Sequence, residues 1–96
     1  MGDSFDEIVN SLKEMYEKEY QRLNPLVNDI ISNNITNINT IEMVLDELLC
    51  CYDKRCMNLF LKLCNYYSNI NKEYAMEYMK FYKEEFEEDI NYEKSK

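Results

Sequence analysis

Glycine occurs once in this chain, at Gly2, and proline once, at Pro25. Without more of them, the tight hairpin turns and phosphate-cradling loops that depend on glycine are out of reach. No stretch alternates apolar and polar residues at a period of two, whereas apolar residues recur at three- and four-residue spacing along the chain. The expected fold is all-α: a compact antiparallel bundle of four helices, or five if Pro25 splits the first. Ninety-six residues suffice for one domain with one hydrophobic core. That domain is placed at residues 1–89, with 90–96 expected to be a disordered tail.

With glycine scarce, helix boundaries must fall to Ser, Asn, Asp and Pro. Ser4 and Glu7 have the spacing of a capping box, ahead of Phe5, Ile8, Leu12, Met15 and Tyr16. The apolar face continues through Tyr20, Leu23, Leu26, Val27, Ile30 and Ile31. Pro25 lies within it, so the helix either kinks there or restarts, with Asn24 as cap and Pro25 at the first helical position. Residues 32–39, Ser-Asn-Asn-Ile-Thr-Asn-Ile-Asn, are rich in side chains that compete with helical hydrogen bonds and form the longest connection. Asn39 with Glu42 is a second cap-like pair, before a stripe of Ile41, Val44, Leu45, Leu48, Leu49 and Tyr52. Asp53 caps a third helix that is apolar nearly all round, which suits a central position or a face turned to a partner. Asn71 caps a fourth running from Lys72 to about Asp89. The acids Glu84, Glu85, Glu87, Glu88 and Asp89 put negative charge where the helix dipole disfavours it, so that end is expected to fray.

Nineteen acids against eleven bases give a net charge of -8. That charge opposes binding to phosphate backbones and anionic membrane surfaces, so neither nucleic acid nor membrane is an expected direct partner. No run of apolar residues is long enough to span a bilayer, and Met1-Gly2-Asp3-Ser4 is acidic where a secretory signal would be basic. A cytoplasmic location is expected. Heavy use of Asn, Ile, Lys and Tyr suggests an AT-rich coding sequence, which speaks to source only.

Chemistry has few candidates. There is no histidine, so a cysteine nucleophile would lack its usual base, and Glu-x-x-His di-metal pairs cannot be built. Cys50, Cys51, Cys56 and Cys64 lie close in sequence, yet they lack Cys-x-x-Cys spacing, and Cys50 and Cys51 point about 100° apart on a helix. They read first as buried packing residues, with metal binding and a redox or disulfide role as lesser alternatives. Asp46, Glu47, Glu84 and Glu88 read as solvated helix faces rather than acid–base pairs. No enzyme activity, cofactor or metal is expected.

Recognition is the better-supported class. Tyr74, Tyr78 and Tyr82 recur every four residues and, with Tyr66, form a candidate surface for a protein partner. Met57, Leu59, Phe60 and Leu61 leave the third helix little polar face and are candidates for self-association as a homo-oligomer. The stretch Leu63-Cys64-Asn65-Tyr66-Tyr67 through Tyr74-Ala75-Met76-Glu77-Tyr78 resembles a tetratricopeptide helical hairpin. It has Cys64 where that family prefers glycine, is one residue short and has no second copy upstream, so it reads as shared hairpin physics and not as membership. The function expected is a non-catalytic protein–protein interaction module, an accessory or regulatory protein. The alternative is an acidic mimic of nucleic acid, with Asp3, Asp6, Glu14, Glu17, Glu19 and the Glu84 to Asp89 run forming the charged edge.

Overall fold

The computed structural model describes residues 2–87 as four α-helices and a final π-helical turn. They are α1 (Gly2–Ser32), α2 (Ile38–Leu49), α3 (Lys54–Ser68) and α4 (Lys72–Tyr82), with the π turn at Lys83–Glu87. The expected tail at 90–96 lies outside the described residues. Connections of a few residues between successive helices force them antiparallel.

Helix α1 runs without interruption through Pro25. Both Pro25 and Gln21, whose carbonyl the missing N–H would have bonded, are exposed. Water can therefore solvate the freed carbonyl, and the proline ring faces away from the neighbouring helices. The restart at Asn24 does not occur; the Asn24 side chain instead accepts a hydrogen bond from Asn28 at 3.3 Å. The helix also begins at Gly2, ahead of Ser4, so Ser4 lies inside it.

The C-terminus of α1 shows how the chain manages without glycine. Asn34 adopts φ 53°, the left-handed region that glycine usually fills. Around it the Ile35 amide bonds the Ile30 carbonyl at 3.0 Å and the Asn34 amide bonds the Ile31 carbonyl at 3.3 Å. This is the Schellman pattern, and the half-buried Ile35 side chain packs against the core beside it. Asparagine is the side chain best able to replace glycine there.

Three caps set the remaining starts. Asn37, two residues before the expected Asn39, caps α2 by accepting from the Thr40 amide at 3.1 Å. Asp53 accepts from the Arg55 amide at 2.8 Å and Asn71 from the Tyr74 amide at 3.1 Å, both where the sequence places them. Helix α4 ends at Tyr82, short of Asp89, and the backbone widens into the π turn at the onset of the acidic run. Glu84 and Glu85 there are exposed; Glu88 and Asp89 lie outside the described residues.

The core is centred on α3, which packs against all three other helices. Its buried residues Phe60, Leu63, Cys64 and Tyr67 meet Leu23, Val27 and Ile30 of α1, Ile41, Val44, Leu45 and Leu48 of α2, and Ala75 and Tyr82 of α4. Leu59 and Phe60, expected on a self-association face, are consumed by this core, and Met57 and Leu61 are half-buried against it. The apolar girth of α3 is explained by its central position.

Replacing Pro25 by Ala restores a helical hydrogen bond on an exposed face and is expected to raise stability by about 1–2 kcal/mol. A higher urea midpoint at unchanged m-value would show it. Asn34→Val puts a β-branched residue at positive φ and is expected to lower stability by about 1–2 kcal/mol in the same assay.

Candidate interaction surfaces

Two surfaces outside the core bear on the expected contacts. The first is a groove of about 510 Å³ between α2 and α4, lined by Glu42, Asp46, Leu49, Tyr74, Glu77, Tyr78 and Phe81. The expected tyrosine ridge is divided by helical geometry. Steps of four residues advance by about 400°, so each tyrosine is rotated about 40° from the last. Tyr82, seven residues after the buried Ala75, returns to the inward side, is buried and stacks on Phe60 with centroids 5.3 Å apart. Tyr78 is half-buried, and Tyr74 is 44% exposed. Tyr66 belongs to a different region, where its hydroxyl donates to the Ile35 carbonyl at 2.7 Å and ties α3 to the loop after α1. Of the four proposed contact residues, only Tyr74 and Tyr78 line the groove.

Two of the three carboxylates of the groove are engaged from below. The Tyr67 hydroxyl donates to Glu42 at 2.6 Å, and the Tyr78 hydroxyl donates to Asp46 at 2.9 Å. The Tyr67 ring is wholly buried, with its hydroxyl at the edge of the core. Desolvation, then the carboxylate each faces, pushes both phenols above their ordinary range. Asp46 is exposed, as expected of a solvated helix face, and is also an acceptor that helps hold α4 against α2. Glu47 is drawn into another pairing: Arg22 bridges it at 2.9 Å and Glu19 at 2.7 Å, linking α1 to α2.

The second surface is the N-terminal half of α1. At 31 residues this helix is about 46 Å long, twice the roughly 22 Å of the 15-residue α3. The bundle therefore covers only its C-terminal part. Tyr16 and Tyr20 are the first of its residues packed against the core. Before them Ile8, Leu12 and Met15 are 60%, 42% and 55% exposed along one side of the helix. The sequence reads these as the start of a continuous core face, but they follow a seven-residue repeat offset from the line Tyr16, Tyr20, Leu23, Val27 that packs inward.

Where the covered part begins, Arg55 fixes α3 to α1. Its guanidinium pairs with Glu17 and Asp53 and lies 4.4 Å from the centroid of the Tyr20 ring. The Arg55 hydrogen bonds hold the Glu17 and Asp53 carboxyls below their usual range.

Cys51, Cys56 and Cys64 are buried and Cys50 is exposed. The Cys64 thiol donates to the Ala75 carbonyl at 3.2 Å, and burial pushes its pKa to about 11. Among the described residues no three cysteine or carboxylate side chains converge as a metal-holding group, and no helix is long and apolar enough to cross a membrane. No family model matches the chain, and neither a curated protein nor a solved structure is significantly similar to it.

Because Tyr67 and Tyr78 are held protonated more tightly when folded than when unfolded, they contribute stability that is complete below their unfolded pKa near 10 and is lost as pH rises beyond it. Thermal melts are expected to be flat through neutral pH, to begin falling from about pH 9 as the buried thiols contribute, and to fall further from about pH 10 as the phenols do. Tyr67→Phe strands the Glu42 acceptor, costs about 1–2 kcal/mol at neutral pH and makes the alkaline fall shallower. An unchanged alkaline limb in this variant would refute the assignment.

Proposed function

We propose that this protein is a non-catalytic interaction module that self-associates through the exposed side of α1, in an accessory or regulatory role. The observation that carries the reading is the line Ile8, Leu12 and Met15, exposed on a stretch of helix that contributes nothing to the core. Apolar side chains in this number on an uncovered helix favour pairing with another helix.

A second copy of the chain is the occupant best matched to this line. Two chains of net charge -8 repel each other unless their charges are kept out of the contact. The positions flanking the line, Val9, Ser11 and Tyr16, are uncharged, while Asp6, Glu7, Lys13 and Glu14 fall on the other sides of the helix. Antiparallel pairing about Leu12 brings Ile8 of one chain beside Tyr16 of the other, since paired positions then sum to 24 (8 + 16). The line stops at Glu19, which Arg22 neutralises. Its short length makes a small interface, in the weak or transient class below roughly 1,200 Å².

This relocates self-association from Met57, Leu59, Phe60 and Leu61 to α1. The groove bearing Tyr74 and Tyr78 is a further surface for a protein partner. Nucleic-acid mimicry has less support, because Glu17 and Glu19 on the proposed charged edge are paired with Arg55 and Arg22. Three buried free thiols suit a reducing compartment and support a cytoplasmic setting.

Sedimentation equilibrium is expected to give a monomer–dimer curve with Kd on the order of 100 µM that tightens as added salt screens the repulsion between the two acidic chains. Leu12→Glu with Met15→Glu is expected to abolish dimerisation with no loss of thermal stability, since neither side chain packs in the core. A strictly monomeric mass for the wild-type chain at high concentration, or a dimer that survives both changes, would overturn the reading.

A further inference from the structure

The turn between α2 and α3 carries two buried sulfurs that the interaction reading does not use. Cys51 follows the end of α2, and Cys56 lies in the first turns of α3. Their Sγ atoms are 2.6 Å apart, and both residues are almost wholly buried. A formed disulfide has sulfurs about 2.05 Å apart, so these side chains already point at each other and need only a small adjustment to join. The other two cysteines are placed differently: Cys64 is engaged with the Ala75 carbonyl, and Cys50 is exposed.

We infer that Cys51 and Cys56 are a disulfide-forming modification site, a pair that closes when the protein meets an oxidant of the disulfide class, either a small-molecule disulfide such as oxidised glutathione or the active-site disulfide of an oxidoreductase. The geometry gives the order of events. Cys51 sits on the turn, so local opening of residues 50–53 uncovers it while Cys56 stays anchored on α3. The Cys51 thiol loses its proton and its sulfur attacks one sulfur of the oxidant. The oxidant's S–S bond breaks, and the expelled thiolate takes up a proton. The Cys56 thiol then loses its proton and attacks the Cys51 sulfur of the mixed disulfide, which forms the Cys51–Cys56 bond and expels the second thiolate to be protonated in turn. Two electrons and two protons pass from the pair to the oxidant, which leaves as two thiols.

Burial sets the rate. Desolvation raises the Cys51 thiol and pushes Cys56 to about 12, so the thiolate is scarce in the closed fold and oxidation waits on opening of the turn. Once formed, the bond fixes the α2–α3 junction next to α1, where the Cys51 thiol now contacts the Tyr16 carbonyl at 3.8 Å. The site thus lies where α1 leaves the bundle, on the side of the uncovered stretch.

The test uses the full chain as wild type and as Cys50→Ser, incubated to completion with oxidised glutathione, then denatured and alkylated with N-ethylmaleimide. Trypsin cuts after Lys54 and Arg55, so Cys51 and Cys56 fall on separate peptides that only a disulfide can hold together. The expected product in both proteins is residues 23–54 joined to residues 56–62, with a mass about 2 Da below the sum for the two lost hydrogens. Cys64 is expected to remain alkylated, and Tm to rise by about 5 °C until a reductant is added. Full alkylation of Cys51 and Cys56 after this treatment, a link that disappears in Cys50→Ser, or pairing of either with Cys64 would overturn the proposal.

Discussion

Helix α3 presents apolar side chains on so many sides that no single neighbour can cover it, and the arrangement of the other helices answers that demand. Phe60, Leu63 and Tyr67 together need α1, α2 and α4. Because α3 has only 15 residues, it can cover only part of α1, which has 31. The uncovered half of α1 follows from that mismatch in length. Pro25 is tolerated for a different reason: it sits on the outer side of the covered half, where water can solvate the freed carbonyl and a broken ladder costs least.

Around this core the polar contacts act as seams between helices. Arg22 joins α1 to α2, Arg55 joins α3 to α1, and the tyrosine hydroxyls join α3 and α4 to α2. No buried side-chain nitrogen or oxygen is without a partner among the described residues. The surface ion pairs individually contribute little, but Arg55 is also held by the Tyr20 ring and the Asp53 cap. It therefore fixes the point at which α1 leaves the bundle.

Helix content and the central role of α3 were legible because periodicity and girth are properties of the residues themselves. Asp53 and Asn71 were readable as caps because a short polar side chain before an apolar run has a local job. The start of α2 was misplaced from Asn37 to Asn39 because the whole stretch 32–39 is rich in equivalent capping side chains. The restart at Pro25 could not be decided locally, since whether proline is tolerated depends on which side of the helix meets water. The tyrosine ridge looked uniform at four-residue spacing, yet a drift of about 40° per step carries Tyr82 inward and leaves Tyr74 outside. The approach of Cys51 to Cys56 was hidden because it depends on the path of the turn between them. Likewise, Ile8, Leu12 and Met15 look like core until the lengths of their neighbours are known.

The use of tyrosine hydroxyls as the donors that meet Glu42 and Asp46 has a consequence for how this protein is controlled. Histidine is the side chain whose charge changes within the range of cellular pH. This chain has none, and its phenol donors are shifted away from neutrality. The phenol donors in the seams between its helices therefore keep one protonation state through neutral pH. Near neutrality acidity has no hold on these donors, which leaves concentration, through the proposed helix pairing, and redox state, through the proposed closure of the thiol pair, as the variables to which such a molecule would respond.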